Sequence, residues 1–258
     1  MLILLGWVKN GVWNVIALGV GLLIGARLVH TLVGGLCPVI PGHALESFLT
    51  LLHVQLLGQD VRLDYALGRN GLLYQFVLID PVLPIQSIKI ENLLLENINR
   101  YKCYIANDNS VGQIVVSGEI KDLDLMSEDL KKDSIKNIKL PVSAPFHCPL
   151  MSKATEEMKE EINKTEFHES NCNIISNVTG TEVKDISQIK DLLIKQIESP
   201  VRWRESVLYM KAKGVNKIVE IGPGKVLSGL IKRIDRNLIS LSINTNDEIK
   251  NIKLNDWF

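Results

Sequence analysis

The sequence predicts an α/β fold, and two patterns in the chain carry that prediction. Near the C-terminus, the apolar run Val215–Ile221 leads through Gly222-Pro223-Gly224 into a helical pattern over residues 225–234. A strand, a tight glycine turn and a helix in this order are typical of α/β proteins. The second pattern is an alternation of short strands and amphipathic helices between residues 86 and 142.

The elements of this second stretch follow the order βαββαβ. The pattern predicts strands over residues 86–90, 101–107, 112–117 and 135–142, and helices over residues 91–99 and Ile120–Lys132. This order is that of the ferredoxin-like split unit. A chain of 258 residues is long enough for one large domain that carries such a unit as an inserted subdomain.

The rest of the C-terminal half also has a regular pattern. It predicts a charged helix over residues 153–163, a strand over residues 173–176 and a helix that ends near residue 214. For that last helix, we expect Ser199 as the N-cap, Pro200 at the first helical position and Gly214 just after the C-terminus.

The composition changes near residue 85. Residues 1–85 hold 11 of the 18 glycines and 21 leucines but one lysine, Lys9, whereas residues 86–258 hold 20 lysines. Residues 15–26 are uncharged and suggest a helix, but twelve residues are too few to span a bilayer, which needs about 20. The longer window over residues 11–35 contains Asn14, Arg27 and His30. A membrane anchor in that window stays open as a disfavoured alternative.

Charge and cysteine content exclude several classes of function. The formal net charge is zero and the pI is about 7.0, which disfavours a nucleic-acid-binding surface. The four cysteines, Cys37, Cys103, Cys148 and Cys172, show no CxxC pair and no histidine spacing suited to zinc. We therefore expect no metal, no disulfide framework and a cytoplasmic protein with reduced thiols.

A loop with a single histidine is the strongest candidate site. His147 lies between Pro145 and Pro149, directly after a predicted strand. Each proline fixes its own φ and restricts the residue before it, so the histidine is held on a stiff connection. On local sequence alone, a structural histidine is the commoner outcome.

Five ordered segments favour a functional role for this histidine over a structural one. They are residues 105–118 (IANDNSVGQIVVSG), 140–151 (LPVSAPFHCPLM), 175–180 (ISNVTG), 199–203 (SPVRW) and 220–227 (EIGPGKVL). Together, over about residues 85 to 245, they resemble the malonyl-CoA:acyl carrier protein transacylase family. The resemblance implies a hydrolase-like parallel-sheet core, incomplete at its N-terminus, with the βαββαβ unit inserted before the catalytic histidine. It divides the chain into three parts. Residues 1–80 are a divergent remnant of the N-terminal part of the large subdomain, residues 81–142 form the small subdomain, and residues 143–258 form the C-terminal part of the large subdomain.

The resemblance also implies an activity and its site residues. The family moves malonyl from coenzyme A to acyl carrier protein in fatty-acid biosynthesis through a Ser-His acyl-enzyme, with no cofactor besides the substrate malonyl-CoA. His147 would be the base, with its second ring nitrogen facing a carbonyl of the 220–222 turn. Phe146 would select malonyl, although ordinary core packing explains it equally well. Asn107 and Asn177 would line or brace the pocket, and we expect a monomer.

The nucleophile is where this sequence departs from the family. The family presents its serine in Gly-His-Ser-x-Gly-Glu, and Gly42-His43 is followed here by Ala44, with Glu46 arriving one residue early. Arg69 alone answers the family's carboxylate-binding arginine, without matching neighbours. An alanine cannot form an acyl-enzyme, and Ser47 would face another direction on the following helix. These departures motivate the hypothesis that residues 1–85 come from a frameshifted or decayed coding region.

Two other interpretations remain. The chain could be a non-catalytic acyl-carrier-protein or acyl-CoA binding remnant, with Lys225, Lys232 and Arg233 as a basic docking surface. The Gly222-Pro223-Gly224 turn resembles a phosphate-binding loop, but neither GxGxxG nor GxxxxGK[ST] is present, which disfavours a nucleotide site. A core without its first strand and elbow exposes apolar surface, so we also predict poor solubility of the isolated chain.

Overall fold

The structure is a computed structural model that describes residues 2–9, 12–19, 73–79, 87–140, 144–167, 172–221, 224–245 and 247–248. Its strands are β1 (Leu2–Lys9), β2 (Val12–Gly19), β3 (Leu73–Ile79), β4 (Cys103–Ser110), β5 (Gln113–Glu119), β6 (Lys136–Lys139), β7 (Asn173–Ile175), β8 (Glu182–Val183), β9 (Val215–Ile221) and β10 (Ile239–Ile243). Its helices are α1 (Ser87–Glu96), α2 (Ile120–Lys132), α3 (Ser152–Lys164), α4 (Ile186–Lys195), α5 (Trp203–Ala212) and α6 (Val226–Ile234). The predicted α/β class is confirmed, with two sheets.

The smaller sheet is built between residues 73 and 139. Its strands lie in the order β4-β5-β3-β6, and each neighbouring pair is antiparallel. Because α1 follows β3 and α2 follows β5, the elements run βαββαβ along the chain. Leu123, Met126 and Leu130 of α2 are buried together with Ile114 and Val116 of β5, and these side chains form the core of the unit.

The first strand of this unit lies earlier than predicted. The prediction of a strand over residues 86–90 is wrong, because α1 begins at Ser87 and continues to Glu96. Ile90, Leu93 and Leu94 follow one another at helical spacing and pack against the core of the smaller sheet. β3 supplies the first strand instead, so the order βαββαβ is retained.

The helix predicted over Ile120–Lys132 is confirmed, but the strand after it is shorter than predicted. α2 ends in a left-handed cap, in which Ser134 has a φ of 59° and the Ile135 N–H donates to the Leu130 carbonyl at 2.8 Å. Ile135 is therefore part of the helix cap and packs into the same core. For this reason β6 begins at Lys136 instead of residue 135. It ends at Lys139, and residues 141–142 of the predicted strand lie outside the described residues.

The larger sheet is mixed and draws on both ends of the chain. Its order is β10-β9-β2-β1-β7-β8, in which β9 is parallel to β10 and β2, and β1 is antiparallel to β2 and β7. The register Lys9↔Val12 leaves Asn10-Gly11 as the connection between β1 and β2. The helix predicted over residues 15–26 is wrong for residues 15–19, which belong to β2, and its remainder lies outside the described residues.

The C-terminal helices pack against β9. Trp203 and Val207 of α5 are buried with Ile218 of β9 and Ile231 of α6 in one apolar cluster. The turn after α5 is as predicted, since Gly214 has a φ of 90° and its N–H donates to the Lys211 carbonyl at 2.9 Å. Among the described residues, no helix is long and apolar enough to cross a lipid bilayer.

The start of α5 differs from the prediction. The helix begins at Trp203 with Arg202 as its N-cap, so the expected cap at Ser199 is wrong. Val201 instead forms a parallel bridge with Asn107 of β4. Its N–H donates to the Ala106 carbonyl at 2.8 Å, and its carbonyl accepts from the Asp108 N–H at 2.9 Å. These backbone bonds attach the smaller sheet to the segment that leads into α5.

Candidate functional site

The His147 loop has an unusual backbone. His147 has a φ of 63°, in the left-handed region that side chains other than glycine rarely adopt. Such a conformation costs about 1–3 kcal/mol and persists only where neighbouring contacts hold it. The loop continues into a short 3₁₀ turn over Pro149–Met151, which precedes α3.

Three hydrogen bonds hold the carbonyl groups of this loop. The Ser117 hydroxyl on β5 donates to the Phe146 carbonyl at 2.8 Å. The buried Cys148 thiol donates to the Pro145 carbonyl at 3.1 Å, and the Met151 N–H donates to the Cys148 carbonyl at 3.0 Å. A typical bond of this kind contributes about 0.5–1.5 kcal/mol, so the set can offset the cost of the left-handed residue.

The imidazole of His147 is oriented by a backbone carbonyl. Its Nδ1 lies 2.9 Å from the carbonyl oxygen of Gln196. Because a carbonyl oxygen only accepts, Nδ1 carries the proton and Nε2 is left with a free lone pair. The prediction that a carbonyl of the 220–222 turn plays this part is wrong, since Gln196, after the end of α4, supplies it.

The protonation state of the ring suits a proton acceptor. Burial lowers the pKa of His147 to about 4, although the bond to the Gln196 carbonyl acts in the opposite direction. The imidazole is therefore neutral at pH 7. A neutral ring with Nδ1–H fixed and Nε2 free is the state that a general base requires.

Gln196 and Asn177 are in contact behind the histidine. Both side chains are buried, and the Asn177 Nδ2 donates to the Gln196 Oε1 at 3.4 Å. The Asn177 carbonyl accepts from the Arg202 N–H at 3.0 Å, which links it to the start of α5. Both residues also line a narrow apolar cleft between β7, β8 and α4. The sequence analysis missed Gln196, because a backbone carbonyl leaves no signal in residue type.

The structure describes three of the four predicted substrate-binding residues, Phe146, Asn107 and Asn177. The side chain of Phe146 is partly buried and packs with Ala144, Met151 and Ala154, which is the core packing that the sequence left as an alternative. Asn107 lies at a bulge of β4, where its backbone meets Val201. Ala44 and Arg69 lie outside the described residues.

A buried ion pair lies beside Asn107. The Arg204 guanidinium of α5 donates to both carboxylate oxygens of Asp108, with Nη2 to Oδ2 at 2.7 Å. Asp108 is 6% exposed, and the bond to its carboxylate raises the pKa of Arg204. The pair joins β4 to α5 next to the Val201 bridge.

A buried carboxylate on β9 bonds to the start of α6. Glu220 is 4% exposed and accepts from the N–H groups of Leu227 and Ser228 at 3.0 and 2.9 Å, and from the Ser242 hydroxyl at 3.1 Å. Negative charge is stabilised at a helix N-terminus, so Glu220 fixes α6 to β9 and β10. The described residues contain no group of three or more His, Cys, Asp or Glu side chains that could hold a metal ion.

No family model matches the chain. A malonyl CoA-acyl carrier protein transacylase from Bacillus subtilis is 42% identical over 147 residues of the C-terminal part, 57% of this chain and 46% of that enzyme. The crystal structure of an acyl carrier protein S-malonyltransferase from Vibrio cholerae superposes with a TM-score of 0.73 at 30% identity, covering 83% of this chain and 67% of that one. The chain belongs to the malonyl CoA-acyl carrier protein transacylase family.

This membership confirms the resemblance found in the sequence. The family's enzymes are acyltransferases, and the chain spans about half the length of the curated relatives it matches. A further similar structure is a type II polyketide-synthase acyl carrier protein in complex with its malonyl-transacylase. It superposes with a TM-score of 0.73 at 27% identity and covers 84% of this chain and 67% of that one.

Proposed function

We propose that this chain derives from an enzyme that transfers malonyl from coenzyme A to acyl carrier protein in fatty-acid biosynthesis, with His147 as general base. The observation that carries the proposal is the bond from Nδ1–H of His147 to the Gln196 carbonyl. It leaves Nε2 as the proton acceptor, as a Ser-His acyl-enzyme mechanism needs.

The mechanism has two half-reactions. In the first, Nε2 takes the proton of a serine hydroxyl while its oxygen attacks the malonyl thioester, and the thiol of coenzyme A leaves with that proton. In the second, Nε2 takes the proton of the carrier-protein thiol, whose sulfur attacks the serine ester and releases the serine. His147 moves one proton in each direction, and the Gln196 carbonyl keeps its tautomer fixed throughout.

We propose that the first half-reaction is blocked in this polypeptide. Ala44 occupies the position of the serine in the Gly42-His43 motif and offers no oxygen to acylate. Loss of the serine in a Ser-His system can cost on the order of 10⁶ in turnover. In this proposal, Arg69, Asn107, Phe146 and Asn177 are the substrate-binding remnant, and residues 1–85 come from a frameshifted or decayed region.

The proposed architecture follows the family. We take residues 81–142 together with β3 as the ferredoxin-like subdomain. The strand order β4-β5-β3-β6 supports this assignment. The rest of residues 1–80, together with residues 143–258, then forms the two parts of a hydrolase-like core. A monomer in the cytoplasm completes the proposal, and the free thiols of Cys103 and Cys148 suit a reducing compartment.

Intact-protein mass spectrometry after incubation with malonyl-CoA tests the proposal. We expect no malonyl adduct on the native chain, an adduct on the Ala44→Ser variant, and a much slower adduct on Ala44→Ser combined with His147→Gln. An adduct on the native chain would show that another residue is the nucleophile, and peptide mapping would identify it. A folded Ala44→Ser variant without an adduct would contradict the placement of the nucleophile at residue 44.

The frameshift hypothesis has a separate test at the level of the gene. The family has two N-terminal motifs, Gly-Gln-Gly-Ser-Gln at the end of its first strand and Gly-His-Ser-x-Gly-Glu at the nucleophile. We expect a neighbouring reading frame of the 5′ region to encode both. If neither alternative frame contains these motifs, the hypothesis fails, while the role proposed for His147 is unaffected.

A second candidate function is a non-catalytic module that binds acyl carrier protein or acyl-CoA. Lys225, Lys232 and Arg233 are exposed around α6. Of the acidic groups nearby, Asp235 pairs with Lys211, Glu220 is buried, and Glu248, close to Lys225, accepts from two backbone N–H groups. The surface would therefore attract an acidic partner. The complex of a carrier protein with its malonyl-transacylase supports this class of partner.

Binding of acyl carrier protein, measured by fluorescence anisotropy, tests this candidate. Lys225→Glu combined with Lys232→Glu should weaken binding by at least tenfold at low salt. The matched control is Lys153→Glu combined with Lys159→Glu, which reverses two exposed lysines on α3. Equal binding by the two double variants would contradict a docking surface on α6.

A further inference from the structure

A hydroxyl group from the smaller sheet reaches the peptide bond that precedes His147. The Oγ of Ser117 donates to the Phe146 carbonyl at 2.8 Å, and Ser117 itself is completely buried. The bond joins two segments 29 residues apart in sequence. It is therefore a tertiary contact between the sheet and the loop.

Ser117 lies on a strand whose position is firmly fixed. β5 has a neighbouring strand on each side, and Ser117 pairs with Tyr104 of β4 and Gln75 of β3. Central strands open last in native proteins, so the hydroxyl is held by one of the least mobile parts of the smaller sheet. The loop carbonyl is consequently bonded to a rigid support.

The Phe146 carbonyl controls the direction of the histidine side chain. This carbonyl and the His147 nitrogen share one planar peptide unit, so holding the carbonyl fixes the orientation of that plane and thereby restricts the φ of His147. With φ at 63°, the ring meets the Gln196 carbonyl at 2.9 Å. A negative φ at His147 would need this peptide unit to rotate, which breaks the Ser117 bond, or the Cα–Cβ bond to turn, which takes Nδ1 away from its acceptor.

We propose that Ser117 is a positioning residue that holds His147 in its left-handed conformation and so keeps Nδ1–H on the Gln196 carbonyl. The inference rests on the proposed function only in taking His147 as the base. Ser117 acts through the Phe146 carbonyl, to which its hydroxyl donates. The smaller sheet thereby contributes directly to the state of the base.

Nuclear magnetic resonance of the histidine ring tests the inference on the full chain without requiring turnover. Long-range ¹H–¹⁵N spectra distinguish the Nδ1–H from the Nε2–H tautomer, and His147→Gln assigns the signals. In Ser117→Ala we expect the Nδ1–H proton to exchange with water about five to ten times faster and the Nε2–H fraction to rise. Ser117→Cys, which keeps a weaker donor of similar size, should give an intermediate result, and it carries the test if the alanine variant does not fold.

Ser127→Ala is the matched control. Ser127 is also a buried serine of the same βαββαβ unit, and its hydroxyl donates to the Asn137 Oδ1 at 2.7 Å. A His147 spectrum unchanged in folded Ser117 variants, or changed equally by Ser127→Ala, would overturn the inference. A native chain that already shows the Nε2–H tautomer would contradict the proposed base geometry, which is a different failure.

Discussion

The two sheets of this protein are assembled in opposite ways. The smaller sheet takes all its strands from residues 73–139, whereas the larger sheet places β1 and β2, from the first 19 residues, between β9 and β7. The smaller sheet is thus local in sequence, although β3 lies within residues 1–85, whose composition differs from the rest, whereas the larger sheet depends on the first 19 residues. Changes within the first 19 residues should therefore affect the larger sheet far more than the smaller one.

Removal of residues 1–19 should give the largest difference in stability between the two sheets. Without β1 and β2, β7 and β9 both become sheet edges, and each loses one of its two neighbouring strands. We expect hydrogen–deuterium exchange to show loss of amide protection in β7, β9 and β10 but retained protection in β4 and β5. Unchanged protection of β9 would mean that the N-terminal hairpin is no part of the native sheet.

Asp108→Ala should weaken the attachment between the two parts. It leaves the Arg204 guanidinium charged and three-quarters buried, and we expect a loss of about 2–4 kcal/mol in the free energy of unfolding, measured by urea denaturation. Asp129→Ala, which removes a more exposed pair with Arg100, should cost much less. The double variant Asp108→Ala/Arg204→Ala should recover part of the loss. Similar losses for Asp108→Ala and Asp129→Ala would contradict a role for the buried pair.

Mild acid should destabilise the folded chain through His147. Its pKa is about 4 when folded and about 6.5 when unfolded, so between these values the unfolded state binds the additional proton. This contribution is fully present above pH 6.5 and falls as pH drops, by about 2 kcal/mol at pH 5. Denaturation at pH 7 and pH 5 should show that difference in the native chain but a smaller one in His147→Gln. Equal pH dependence in both would place the titration elsewhere.

Two glycine substitutions should give the smallest effects, with opposite signs. Gly214→Ala places a Cβ at a φ of 90° and should cost about 1 kcal/mol of unfolding free energy. Gly229→Ala lies inside α6 with open space around the new methyl group and should add up to about 1 kcal/mol. Thermal melts of the two variants measure both, and stabilisation by Gly214→Ala would show that the turn tolerates a negative φ.

The sequence was informative where local periodicity decides the structure. It predicted α2 over Ile120–Lys132, β9 over Val215–Ile221 and the turn at Gly214. It failed over residues 86–90, where five residues satisfy a strand and a helix equally well and tertiary packing decides. The Asn10-Gly11 dipeptide between two apolar runs is a strong hairpin signal, and the helix prediction overlooked it.

In the candidate site, the sequence could identify the histidine but not the groups that hold it. His147 could be singled out because its residue type and its flanking prolines are written in the sequence. The Gln196 carbonyl could not, since every residue has one and only the fold decides which is nearby. Ser117 was equally hidden, because one serine in a β-strand gives no sign that its hydroxyl reaches a loop 29 residues away.

The thiol next to the candidate base offers a means of watching this loop. Burial raises the pKa of Cys148 to about 11 and that of Cys103 to about 12, so at neutral pH neither is a reactive thiolate while the fold is closed. Among the described cysteines, an alkylating reagent should therefore modify the partly exposed Cys172 first. The rate at which Cys148 is alkylated would then report how often the histidine loop opens.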